Sequence, residues 1–222
     1  MTTTVQSVIQ AVQVEYVTDP AGTRWPATDL VRIGNRMQLA IVMARPDAAA
    51  SSVTLTLLAG HAQVLPSTAL ALVEILATAA GAPVRQCRRE DLDAISPTWR
   101  SATPTTAIEH FMYDPRHPRR FDVYPPASEG AQLAALVAAY PQAMATPGGA
   151  AYTDCTGNIG VPDEFAPALS HLIAYGAYIK DAKYAANAGL AKMHLEAAVS
   201  MVGEQLRAQL AMQPLSAQDG SA

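Results

Sequence analysis

The stretch Ser51-Ser52-Val53-Thr54-Leu55-Thr56-Leu57 decides the fold. Val53, Leu55 and Leu57 alternate with small hydroxyl residues, the period of a strand with one buried face. On the amino-terminal side the period is helical. Val5, Val8, Ile9, Val12 and Tyr16 share one side of a helix over residues 5–17, and Asp19-Pro20-Ala21-Gly22 ends it. Thr28 reads as the N-cap of a second helix, which carries Leu30, Ile33, Met37 and Ile41 and stops before Pro46.

Beyond Leu57 the strand signals continue at 63–65, 70–77, 84–87, 108–113, 121–124 and 133–140, with one helical turn at 91–95. Residues 142–160 contain Pro147, Gly148, Gly149, Gly157 and Gly160 and read as loop. Helical spacing returns after Val161-Pro162-Asp163-Glu164, where acidic groups suit the positive end of a helix dipole. Phe165, Leu169, Leu172, Ile173 and Ile179 line that helix. Asn187 reads as the cap of a last one carrying Leu195, Val199, Val202, Leu206 and Leu210. Neither helix pair covers its apolar side alone, so the expected class is α+β. The expectation is a four-helix bundle from the N- and C-terminal helix pairs, 1–48 and 161–212. An inserted, mainly antiparallel β region with its loops fills 49–160, and a flexible C-terminal tail follows at 213–222.

Half of the residues are hydrophobic, enough for a sizeable core. Charged residues are 15%, against about 25% in ordinary soluble domains. Such an alanine-rich, charge-poor surface fits burial against copies of itself as well as it fits biased codon usage. The formal net charge is −4 and the pI near 5.7, without the basic footprint of a protein that grips phosphates. Cys87 and Cys155 stand far apart with no metal-ligand spacing and read as free thiols. The amino terminus has no signal-peptide pattern, and no apolar run reaches the roughly 20 residues of a membrane span, so the expectation is a soluble protein made in the cytoplasm.

Chemistry-bearing patterns are absent from the sequence. His61 falls in a turn and His117 in a loop; His110 and Glu109 point to opposite faces of a strand. His171 and His194 fall on different helices without ligand spacing. Asp91 and Asp93 are two apart on a helical turn and do not face each other. No catalytic, metal-ligating or cofactor-binding residue is therefore expected, and the chain does not read as an enzyme. The local basic concentration is Arg116-His117-Pro118-Arg119-Arg120, with Arg85, Arg88, Arg89 and Arg100 near it in sequence. Arg116, His117, Arg119 and Arg120 are candidates for a subunit interface or a channel wall; a contact to phosphate or to an acidic partner is the sharper alternative.

Taken in order, several segments resemble a family of phage head-to-tail adaptor (connector) proteins of short-tailed phages, catalogued largely as a domain of unknown function. The pieces are Ala21-Gly-Thr-Arg-Trp-Pro26, Arg45-Pro-Asp47, Leu58-Ala-Gly-His-Ala-Gln-Val-Leu-Pro66, Leu92-Asp93 and Pro97-Thr-Trp99. Tyr113-Asp-Pro115, Phe121-Asp-Val-Tyr-Pro-Pro126, Pro162-Asp-Glu-Phe165 and Lys180-Asp-Ala-Lys-Tyr184 with Asn187 complete them. Each piece is weak alone; order and spacing carry the likeness. The resemblance implies a structural virion protein at the neck between head and tail. Its copies, commonly twelve, form a ring between portal protein and tail nozzle protein through which DNA passes at genome ejection, without specific DNA binding, membrane or cofactor. Gln213, Pro214 and Leu215 of the tail are candidates for contact with the portal. The competing readings are another neck or tail-completion protein, a virion-associated hydrolase, and a DNA-binding module.

Overall fold

A computed structural model describes residues 2–181, 184–204 and 206–207. The chain divides into two compact units: one holds residues 1–48 and 141–222, the other residues 49–140.

In the helical unit, α1 (Val5–Gln10) is capped by Thr4, whose hydroxyl accepts the Ser7 N–H at 3.1 Å. The chain then widens into a π-helical turn, Ala11–Tyr16, closed by the Val17 N–H on the Val12 carbonyl at 2.9 Å. β-Branched Val12, Val14 and Val17 crowd the tighter α-helical turn, and the wider turn carries the buried side chain of Gln13 inward. Thr18 then takes the left-handed backbone conformation, at φ +55°. α2 (Ala27–Ala44) begins at Pro26, so Thr28 lies inside the helix and is not its cap. After the 3₁₀ turn Asp163–Phe165 comes α4 (Ala166–Lys180), then α5 (Ala185–Val202). Asn187 sits within α5, its side-chain amide donating to the Asp181 carbonyl at 2.9 Å.

The expected four-helix bundle of two terminal pairs does not form. α4 is the reason. Leu169, Leu172, Ile173, Ala174, Ala177 and Tyr178 are buried on several sides of it, and a helix apolar all round must be enclosed. α2, α5 and α1 with its π-helical turn all pack against α4, so the two N-terminal helices meet α4 more extensively than they meet each other. Class α+β stands; the bundle does not.

The second unit holds seven strands and one short helix: β1 (Ala50–Thr56), β2 (Gly60–Val64), β3 (Ala69–Thr78), β4 (Arg85–Gln86), α3 (Arg89–Ile95), β5 (His110–Tyr113), β6 (Arg120–Ala127) and β7 (Gln132–Ala139). They form a three-stranded sheet in the order β1-β7-β3 and a four-stranded sheet in the order β2-β6-β5-β4. All pairings are antiparallel except β4 with β5. Ala50 pairs with Ala138 across β1 and β7, which brings the two ends of this unit side by side, as an insertion requires. Leu55, Leu72, Ile75 and Leu133 from one sheet share an apolar core with Phe111, Phe121 and Val123 from the other.

Candidate functional site

Several of the scattered sequence pieces gather into two clusters, one in each unit. In the helical unit the Asp19 carboxylate accepts the backbone N–H groups of Thr23, Arg24 and Trp25 at 3.0, 2.7 and 2.7 Å. Burial pushes that carboxyl up, but the N–H groups of Trp25, Arg24 and Thr23 outweigh it and hold it below the usual range. This ring of bonds fixes the loop so that Arg24 pairs with Asp181 while its guanidinium lies 5.3 Å from the Trp25 ring and 4.9 Å from the Tyr184 ring. Lys180 meets Asp29 at 2.5 Å beside it. The 21–26 loop and the residues Lys180, Asp181 and Tyr184 thus form two halves of one surface.

Behind that surface, amide side chains hold the long segment 141–160. Gln13 Nε2 donates to the carbonyls of Trp25 and Ala150 at 2.8 and 2.9 Å, and its Oε1 accepts the Tyr152 N–H at 2.7 Å. Asn35 bonds both backbone groups of Met144, at 3.2 and 2.7 Å. Buried Gln38 donates to the Gln142 carbonyl at 3.3 Å and accepts the Gly160 N–H. Gly22, at φ +64°, lets this segment approach: a Cβ there would stand 2.1 Å from the Ala150 oxygen. Sequence reading missed all three amides. The available signal was polar Gln13, Asn35 and Gln38 set next to apolar helix positions.

In the β unit the centre is Trp99, 1% exposed. Its Nε1–H donates to Asp93 at 2.7 Å, its ring meets His61 and Tyr124 edge-on at 5.3 and 6.4 Å, and Arg100 lies 4.4 Å above it. The Arg100 guanidinium, then the Trp99 N–H, holds the Asp93 carboxyl below its usual range. His61 contacts Asp122 at 3.1 Å, and Asp122 also takes Arg89 at 2.5 Å. Four separate pieces, 58–66, 92–93, 97–99 and 121–126, converge here.

The basic loop joins β5 to β6. Arg116 is exposed and paired with Asp114 at 3.2 Å, and His117 stands 3.8 Å from the same carboxylate. Arg119 turns back to the carbonyls of Leu65 and Pro66 at 3.4 and 3.3 Å, and Arg120 is an exposed residue of β6. The structure therefore splits these four: Arg116 and His117 share one acid, while Arg119 secures the hairpin. An open groove of about 850 Å³ beside the loop is lined by Arg88, Arg89 and Arg116 but equally by Glu90, Asp91 and Asp114, so it has no single charge. Gln213, Pro214 and Leu215 lie outside the described residues.

Little reactive chemistry is arranged. Asp91 lines the groove while Asp93 is engaged by Trp99 and Arg100. Cys87 and Cys155 are free thiols, and burial, then Asp154, pushes Cys155 up to about 11. Among the described residues no three metal-ligating side chains cluster, and no helix is long and apolar enough to cross a membrane. His171 and His194, 23 residues apart, do meet, Nδ1 to Nδ1 at 2.8 Å, under the stacked ring of Tyr16.

No curated protein matches the chain. The SU10 adaptor protein family matches residues 3–218. That match runs through both clusters, and the chain belongs to the SU10 adaptor protein family.

Proposed function

We propose that this phage adaptor protein acts as a ring-forming head-to-tail adaptor, seated between the portal and the tail nozzle with DNA passing through its centre. Family membership over residues 3–218 is the observation that carries the reading. Physical chemistry supports it. Arg24, Arg32, Arg45, Arg89, Arg100, Arg116 and Arg207 are each tied to a carboxylate of the same chain, which offsets their charge toward phosphates. With a net charge of −4, such a subunit lets a duplex slide, because affinity for DNA grows with each phosphate neutralised. A ring follows from heterologous contacts whose rotation closes, and twelve copies is the number that the resemblance to head-to-tail adaptors implies. Its role is structural and non-catalytic, and its place is the virion neck. Arg116 and His117 are proposed to face a neighbouring subunit or the channel; Gln213, Pro214 and Leu215 are proposed to touch the portal.

Negative-stain imaging of the purified chain with and without portal tests the reading. A ring layer added to the portal face is expected. Binding only to a different neck or tail component assigns the chain to tail completion instead.

A further inference from the structure

A sheet edge is a row of backbone N–H and C=O groups waiting for a partner, and proteins ordinarily guard it with charge, proline, bulges or a cover. In the β unit this guarding is uneven. The edge strand β3 is protected: its pairing with β7 slips at three places, it carries Glu74, and its outer N–H groups at Leu72 and Thr78 are taken by the carbonyls of Pro118 and Ala82, at 3.2 and 2.8 Å. β4 is two residues long and begins with Arg85.

β1 has none of these devices. It pairs with β7 over seven consecutive residues without a register shift, and Ala50-Ser51-Ser52-Val53-Thr54-Leu55-Thr56 contains no charge, proline or glycine. The Leu57 N–H donates to the Ala131 carbonyl at 2.8 Å on the same register. The alternation of an antiparallel ladder then turns the backbone groups of Ser52, Thr54 and Thr56 away from β7. All three residues are exposed, and their outward groups have no partner among the described residues.

One other edge in this unit is open. β2 pairs with β6 alone, and the Leu65 N–H bonds the Arg119 carbonyl at 3.0 Å. By the same alternation the backbone groups of Ala62 and Val64 point outward. Both residues are exposed, Val64 at 59%, and β2 carries no Lys, Arg, Asp or Glu. The two open edges, seven residues in β1 and five in β2, carry no Lys, Arg, Asp or Glu and lie on different strands of one chain; the β2 pairing slips once, between Gly60 and Ala62, and is regular from Ala62 to Val64.

We propose that the edge of β1 pairs with the edge of β2 in the next copy of this chain, so that neighbouring subunits share a continuous sheet. This rests on the ring reading and names the surface that builds it. A contact between two different edges is heterologous and repeats around a ring, whereas pairing β1 with another β1 would stop at a dimer. Thr54 and Val64 are the centre of the contact.

The test measures the assembly state of the full chain by analytical ultracentrifugation, for the wild type, Thr54→Lys, Val64→Lys and a 1:1 mixture of the two variants. Each variant alone is expected to need about tenfold more protein to assemble, since a lysine at the centre of an edge places a solvated charge where the neighbouring strand must pair. The mixture is expected to stop at dimers, because each variant keeps one working edge. Thr54→Pro removes an outward N–H without touching the β7 ladder and serves as the second variant; unchanged circular dichroism shows that each is folded. Wild-type rings that persist unchanged in Thr54→Lys and Thr54→Pro overturn the edge contact and leave the ring reading standing. Loss of assembly in Thr54→Lys alone, with Val64→Lys normal, overturns β2 as the partner. A wild type that stays monomeric both alone and with portal overturns the two together.

Discussion

Nδ1 of His171 and Nδ1 of His194 lie 2.8 Å apart and join α4 to α5. One ring must donate and the other accept, so the contact needs at least one neutral imidazole. Tyr16 stacks on His171 at 4.8 Å and Tyr178 on His194 at 5.7 Å, and the Tyr178 hydroxyl donates to the Tyr16 carbonyl at 2.7 Å. Among the described residues no carboxylate works against the burial that lowers either histidine's pKa.

That geometry gives stability a pH dependence of definite sign. Burial lowers the His171 pKa; burial, then His171 itself, lowers that of His194. The unfolded chain therefore binds more protons than the folded one just below the ordinary histidine value of about 6.5. The stabilisation is complete above that value and falls as pH drops toward the lowered folded pKa values. Thermal melts of the wild type from pH 8 to pH 5 are expected to show a falling midpoint, and His171→Phe a flatter profile. Identical slopes for the two would remove the pair as the cause.

The Gln13 side chain ties the π-helical turn to both Trp25 and the 141–160 segment. Gln13→Leu keeps much of the volume but leaves the Trp25 carbonyl and the Tyr152 N–H without partners. A loss of about 2–4 kcal/mol is expected in denaturant titration. A change within about 0.5 kcal/mol would mean that water takes over these bonds.

Thr18 is a β-branched residue at φ +55°, where side chains other than those of Gly and Asn are strained. Thr18→Gly is expected to stabilise the protein by about 1 kcal/mol. The same denaturant titration checks it, and destabilisation would show that the threonine side chain outweighs its backbone cost.

Deleting residues 213–222 is expected to weaken binding to the portal while circular dichroism and melting stay as in the wild type. Unchanged assembly on the portal would remove Gln213, Pro214 and Leu215 as contacts.

How far the sequence could be read depended on how local the signal was. The strands announce themselves through neighbours, as Val53, Leu55 and Leu57 do. The seven observed strands fall near the predicted segments, although β4 has two residues. The arrangement of helices was less legible. The periodicity marks that Leu169 and Leu172 are buried, but not that Ala174 and Ala177 on other sides of α4 are enclosed too. The π-helical turn left only β-branched valines as a trace. Gln13, Asn35 and Gln38 look like ordinary polar helix residues until their backbone partners, more than 100 positions away, are known. For the same reason the sequence shows His171 and His194 only as residues of different helices without ligand spacing: the contact between them belongs to the packing of α4 on α5. The Trp99 cluster shows in the sequence only as separate pieces around His61, Asp93, Trp99 and Tyr124, which the fold joins.

Mass measurement of the portal particle before and after addition of this chain tests the adaptor assignment most directly. The account predicts a single added layer whose mass is a whole multiple of 23.4 kDa and matches the symmetry of the portal ring. A portal of unchanged mass, with the chain remaining free as a monomer, would contradict it.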